Sequence, residues 1–362
     1  MQVELLLESS EFVARLLDDI AAAKRRVWVQ CLSFEGDDAG SSLSQALLDN
    51  TTARDRRLLI DDFTRYVIND QFLYSPRSMR NAALQRERSQ TATILGQLHD
   101  ASVSVRWTNP IRGLVHRLSA RNHKKIIVID DAVYVGGFNF SDHNFAWHDL
   151  MIRIDEPAWV DALARDFDVS WNEEPPQQGY QELPQGGLLM FPGRGRSREA
   201  RRMLLRTLAS AQRSIFIESP YLSEPLFSIL RERADAGLRV DLVLPDKNNW
   251  RSYDDYTRAC LASSRVHVHF FPGMTHLKAA LIDENALWMG SANFEYFGLH
   301  CHQELLAKIT EPTLVANFIR RVRDVDINAS RTVDTASFES SAVARWRVES
   351  TFRVLHGLNR IL

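Results

Sequence analysis

One spacing of residues is written twice in this chain of 362 residues. His123-Lys124-Lys125-Ile126-Ile127-Val128-Ile129-Asp130 runs on to Gly136-Gly137-Phe138-Asn139. His276-Leu277-Lys278-Ala279-Ala280-Leu281-Ile282-Asp283 runs on to Gly290-Ser291-Ala292-Asn293. A duplicated pattern of this length constrains the fold strongly, because each half of the chain must build the same local structure. In an extended segment, residues i and i+2 project to one side. His123 therefore projects with Lys125, and His276 with Lys278. The apolar run after each lysine reads as a buried strand. A short turn and a return strand at 132–135 or 286–289 complete a hairpin, which carries Asn139 or Asn293 back toward its own histidine and lysine.

The surroundings of the two motifs repeat as well. Amphipathic helices are predicted at 12–23 and 198–211, each followed by a short apolar strand, at 27–32 and 215–218. A second helix then leads to a second strand in each half, 41–49 to 57–61 and 225–236 to 240–244, and third strands follow at 103–106 and 266–269. This alternation predicts an α/β chain with a mixed or parallel sheet in each half. A chain this long also exceeds what one core usually covers. The polar, proline-containing stretch 173–195 reads as a linker between domains at 1–172 and 196–362. Residues 62–99 fit the rhythm poorly. They read as an insertion over the site or as an ordinary surface helical hairpin.

Two imidazoles, two ammoniums and two amides suit a phosphodiester. Lysines and amides can neutralise phosphoryl oxygens as charge spreads in the transition state. One imidazole can attack phosphorus while the other protonates the leaving oxygen. These roles need opposite protonation states at one pH, so two histidines in unlike environments are required.

The paired segments resemble the HKD motifs of the phospholipase D superfamily. The second copy follows the pattern HxKx4Dx6GSxN throughout, whereas the first has a turn one residue shorter and Gly137 in place of the serine. Phe271-Pro272-Gly273-Met274-Thr275-His276 and Ser291-Ala292-Asn293-Phe294 look most like bacterial cardiolipin synthases. The resemblance implies two similar phospholipase D-type α/β/α sandwich domains forming a pseudo-dimer in one chain, with both motifs contributing to one metal-free active site. It implies catalytic roles for His123, Lys125, Asn139, His276, Lys278, Ser291 and Asn293. Asp149 and Glu304, each opening an apolar run, are the candidates for the acidic residue that orients each histidine. Asp130 and Asp283 are expected to hold turn and backbone. The implied reaction is phosphodiester transfer through a covalent phosphohistidine, with His123 as nucleophile and His276 as general acid. The implied substrate is a phospholipid, phosphatidylglycerol or a related lipid, with a lipid alcohol or water as acceptor. A nuclease or nucleic-acid phosphodiesterase of the same superfamily is the alternative.

Composition bears on that choice. The formal net charge is -2, without the basic excess of a nucleic-acid binder. Cys31, Cys260 and Cys301 are scattered and suggest neither disulfides nor zinc. The N-terminus lacks the features of a signal peptide, and no apolar stretch is long enough to span a bilayer. A cytoplasmic enzyme, peripheral on the inner face of an anionic membrane, is therefore expected, with no cofactor or metal. His267 and His269 alternate like metal ligands but have no acidic or thiol partner at matching spacing. The basic run 196–206 reads as a solvated helix face or as a lipid or nucleic-acid contact. In 341–362, Val348, Phe352, Leu355 and Leu362 share a helical face near Trp346, with Arg345, Arg347, Arg353 and Arg360 as cations. That is an interfacial helix or a terminal helix packed on its own domain.

Overall fold

The computed structural model describes residues 2–111 and 119–360, with no side-chain description for 355–360. It divides into two compact units, Met1–Gln177 and Gln178–Leu362.

The first unit is built on a seven-stranded sheet. Its strands are β1 (Val3–Leu7), β2 (Arg26–Cys31), β3 (Asp55–Asp61), β4 (Ser104–Thr108), β5 (Ile126–Ile129), β6 (Ala132–Gly136) and β7 (Leu150–Ile154). Their order across the sheet is β1-β7-β6-β5-β2-β3-β4, with β2, β3 and β4 mutually parallel and the other pairs antiparallel. Side chains alternate across the sheet. Val27, Val29 and Cys31 join the core made with α1 (Glu8–Ala22), α2 (Asp38–Asp49) and α3 (Ala82–Asp100). Between them Trp28 turns to the other face and stacks on Phe167 of α4 (Pro157–Trp171), ring centroids 5.2 Å apart. Helices on both faces of one sheet make an α/β/α sandwich.

The second unit repeats this plan with nine strands. They are β8 (Gly179–Leu183), β9 (Gly186–Phe191), β10 (Ser214–Glu218), β11 (Arg239–Pro245), β12 (His267–Phe271), β13 (Ala279–Ile282), β14 (Ala286–Gly290), β15 (Glu304–Ile309) and β16 (Arg331–Val333). The order is β8-β9-β15-β14-β13-β10-β11-β12-β16. Ile215 and Ile217 pack with α5 (Arg198–Ala209) and α6 (Leu226–Asp235), while Phe216 meets Phe318 of the helix Pro312–Phe318 edge-on at 6.0 Å. The central strands β15-β14-β13-β10-β11-β12 reproduce β7-β6-β5-β2-β3-β4 in order and direction.

Two expectations change here, and a third, left open between two readings, is met by the helix packed on its own unit. Residues 173–195 are not a linker throughout, because 179–183 and 186–191 form β8 and β9. β9 lies antiparallel to β15 as β1 lies against β7, so the second repeat opens with a strand ahead of its first helix. Second, the poorly fitting stretch 62–99 is only partly an insertion. α3 carries the chain between parallel strands β3 and β4, as α7 (Arg251–Leu261) does between β11 and β12. The extra material is a short 3-10 turn at Asp62–Arg65, a two-residue hairpin and one helical turn at Pro76–Met79. Third, the C-terminal helix α8 (Ala342–Arg360) buries Val348 and Phe352 in its own unit, with Phe352 against Tyr253, Tyr256, Tyr296 and Phe297. Trp346 is not on that face and is 66% exposed. Leu355, Leu362 and the side chain of Arg360 lie outside the described residues.

Candidate active site

Each unit holds one half of the expected catalytic set. In the first, His123 and Lys125 do not lie in a strand; they occupy the extended lead-in just ahead of β5. Alternation still holds there. Lys124 points away into a buried ion pair with Asp166 of α4, Nζ to Oδ2 2.5 Å, and also donates to Ser170 Oγ. His123 and Lys125 are both buried, and the Lys125 ammonium donates to the carbonyl of His123 at 2.8 Å. The ammonium is thus fixed by the backbone of the residue it must work beside. The second unit repeats the arrangement: buried Lys278 donates to the His276 carbonyl ahead of β13.

The lead-in segments are anchored differently. In the first unit Gln30 of β2 donates to Asn122 at 2.9 Å. Asp61, fully buried at the end of β3, accepts from Asn122 N at 2.7 Å and pairs with Arg121 at 2.8 Å. Burial pushes the Asp61 carboxyl up, against the pull of Arg121 and the N–H groups of Phe63 and Asn122. Asp62 next to it accepts from Ile111 N. In the second unit the position of Gln30 is taken by Glu218, which accepts from Thr275 Oγ1 at 2.5 Å, and the strand register aligns Asp61 with Pro245. Asp61, Asp62, Arg121, Gln30, Glu218 and Thr275 carry no individual role in the sequence reading. Their partners lie far along the chain, and only Thr275 and the Arg121-Asn122 pair, placed directly before the motifs, gave any signal.

The return strands bring the carboxylates in. Gly137 N and Ser291 N each donate to a backbone carbonyl, of Leu150 and Leu305 respectively, so Gly137 matches Ser291 and Asp149 matches Glu304. Ser291 Oγ donates to Glu304 Oε2 at 2.5 Å and accepts from Leu305 N. In the first unit, a Cβ on Gly137 would stand 2.2 Å from Asp149 Oδ1 and 2.3 Å from Oδ2. The serine missing from the first motif thus coincides with a shorter carboxylate that takes its space. Asp149 and Glu304 are fully buried. Asn139 accepts from Ser33 N and donates to Asn144 Oδ1, whereas Asn293 Oδ1 is buried without a hydrogen-bond donor among the described residues.

Asp130 and Asp283 lie at the opposite end of the motif strands. Asp130 accepts from the N–H groups of Lys24, Arg25 and Arg26, and Asp283 from those of Gln212, Arg213 and Ser214. Partial burial would raise both carboxyls, but these backbone donors outweigh it and hold them below the usual range. Each therefore pins the loop from the first helix to the first central strand of its unit.

Other candidates resolve as structure. His269 bonds Asp241 Oδ1 at 3.0 Å and Thr332 Oγ1, so a carboxylate partner absent from the local spacing comes from the neighbouring strand. Burial pushes the Cys31 thiol up to about 12, which leaves it protonated. His116 and the side chain of His356 lie outside the described residues. No described helix is long and apolar enough to cross a membrane.

Residues 16–171 and 204–325 match the family model described as cardiolipin synthase, PLD-like domain. The chain is 23% identical over 361 residues to the major cardiolipin synthase ClsA of Bacillus subtilis (strain 168), covering 91% of this chain and 69% of that protein. It is 25% identical over 366 residues to cardiolipin synthase 1 of Staphylococcus aureus (strain COL), covering 93% and 69%. Among solved structures, a phosphatidylserine synthase of Haemophilus influenzae Rd KW20 superposes with a TM-score of 0.71 at 16% identity, covering 100% of this chain and 95% of that one. The last comparison establishes the fold.

Proposed function

This chain belongs to the family of cardiolipin synthase-type, phospholipase D-like proteins, and from that premise we propose that it is a phosphatidyltransferase acting on phospholipids. The observation that carries the reading is the duplicated half-site, a buried imidazole two residues from a buried ammonium with a buried carboxylate at the start of the strand beside the return strand. The family match favours a lipid substrate over the nuclease alternative.

In this reading both half-sites serve one reaction. A ring nitrogen of His123 attacks the phosphorus of the donor lipid, and the head-group alcohol leaves with a proton from His276. The phosphatidyl group is then held on His123. An acceptor alcohol gives its proton back to His276 as its oxygen attacks phosphorus, which releases His123. Lys125, Lys278, Asn139 and Asn293 hold the phosphoryl oxygens as charge redistributes, while Ser291 gives its one hydroxyl proton to Glu304. Asp149 and Glu304 orient the histidines. Two molecules of phosphatidylglycerol would give cardiolipin and glycerol; water as acceptor would give hydrolysis. The protein works on the surface of an anionic membrane. Incubation with phosphatidylglycerol, with other glycerophospholipids and with single-stranded DNA, followed by mass spectrometry, tests this. Phosphatidyl transfer or head-group release is expected, and cleavage of DNA alone would contradict it.

A further inference from the structure

The second unit carries a basic cleft whose lining includes none of the residues of its half-site. α5 presents Arg198, Arg202 and Arg206 at intervals of four, which places them in one row along the helix. Arg196 stands just before the helix, and Gln178, Gly179 and Tyr180, at the start of edge strand β8, close the other side. With Leu189 and Met203 among its apolar residues, the cleft encloses about 840 Å³.

Its charge is lopsided. Four arginines line the cleft against the single carboxylate of Glu199, a surplus of three positive charges (4 − 1 = 3). Like charges four residues apart weaken a helix. Other arginines in the chain are matched, such as Arg153 with Asp19 and Arg323 with Glu284. None of Arg196, Arg198, Arg202 and Arg206 has an ion-pair partner among the described residues. The half-buried Arg201 shows the crowding: burial, helped by Arg198 and Arg202, holds its guanidinium below the usual value. With an overall formal charge of -2, this concentration of positive charge is local.

Unpaired guanidinium forks bind phosphate oxygens in bidentate fashion. Tyr180 and Met203 add apolar surface that a bare inorganic anion would not use. We propose that this cleft is a second, non-catalytic lipid site, which holds the phosphate of an anionic phospholipid head group and so docks the second unit on the bilayer. The choice of a lipid over another phosphate rests on the phospholipid reading above.

The test uses the full chain in flotation with phosphatidylcholine vesicles, with and without phosphatidylglycerol. Wild type should bind only the anionic vesicles. Arg202→Ala/Arg206→Ala should weaken that binding roughly 30-fold, and Arg202→Lys/Arg206→Lys, which keeps the charge but loses the fork, should bind more weakly than wild type and more tightly than the double alanine. Turnover of short-chain phosphatidylglycerol in detergent micelles should be the same in all three. A double-alanine variant that folds, by circular dichroism, and binds anionic vesicles like wild type overturns the proposal. So does lost micellar turnover, which would place the arginines in the catalytic machinery. Displacement of the protein from vesicles by soluble glycerol phosphate would reassign the cleft to a free phosphate. Arginine-dependent binding of single-stranded DNA without vesicle binding would make it a nucleic-acid surface. If vesicle binding depends on the arginines but no lipid is turned over, the cleft stands and the catalytic reading fails.

Discussion

The carboxylate of Asp149 stands where a side chain on Gly137 would have to go, its oxygens 2.2 and 2.3 Å from the Cβ position. The matching pair in the second unit is a serine bonded to a longer acid, Ser291 to Glu304. Gly137→Ser should therefore not restore the complete motif. It should displace Asp149, lower stability by about 1–3 kcal/mol as an overpacked core does, and reduce turnover. Gly137→Ala/Asp149→Ala should regain stability in urea unfolding without regaining turnover. A fully active Gly137→Ser enzyme would show that the carboxylate can move aside at no cost.

His123→Ala and His276→Ala should each abolish turnover with the fold intact, because in the proposed mechanism nucleophile and acid act as a unit. They should differ on a lipid carrying p-nitrophenol as its leaving group, which departs without a proton. His276→Ala should then accumulate phosphatidyl enzyme and stall, while His123→Ala should form none. Rapid quench and peptide mass spectrometry locate the group. Label on His276 in the wild type would exchange the two roles.

In the proposed mechanism lysines take the place a cation could occupy beside the phosphoryl group, so turnover should survive strong chelation. Complete loss with EDTA, restored by a divalent ion, would contradict this.

Asp61→Ala leaves Arg121 buried without its carboxylate, and loss of one partner of a buried pair costs about 3–5 kcal/mol. Arg121→Met in the same chain should recover much of that, measured by urea unfolding. If the single and double variants are equally unstable, the ion pair is not the source of the loss.

Glu35 gives a dependence on pH. Burial, reinforced by the Glu87 carboxylate and only partly opposed by Asn69 N–H, pushes its carboxyl up to about 9. The folded protein then keeps a proton that the unfolded chain, with a carboxyl near 4.5, has released. The stabilisation is complete below the unfolded value and is lost as pH rises toward the folded one, by up to about 1.4 kcal/mol per pH unit. Glu35→Gln should remove this slope. Its advantage over wild type should grow between pH 5 and pH 8 in urea unfolding; a constant difference would argue against it.

The repeat was legible because buried strands announce themselves as apolar runs, and the duplicated motif fixed which strands correspond. Strand β9 was not legible, since 186–191 sits behind a polar, proline-containing stretch that dominates any local reading. α3 escaped assignment as a crossover for a related reason: its polar sequence buries little more than Leu84, Thr91 and Leu98. In the site, His123, Lys125, His276 and Lys278 could be read from spacing alone. The anchors Asp61, Gln30 and Glu218 could not, because each acts across strands and none belongs to a motif. The C-terminal helix was recognisable, but which of its apolar residues face inward depended on the aromatic residues of α7 and of 296–297.

Asp130 and Asp283 name the motif yet lie a full strand away from the histidines, at roughly 3.3 Å per residue, and each fastens a loop at the far edge of its sheet. The four residues between lysine and aspartate are then a gauge of distance, the span needed to cross the sheet from its chemical edge to its fastening. Such a gauge tolerates any apolar composition, which is why Ile-Ile-Val-Ile serves in one copy and Ala-Ala-Leu-Ile in the other. It does not tolerate a change of count. One residue more or fewer would turn every later side chain to the opposite face and leave the aspartate aimed away from the loop it holds.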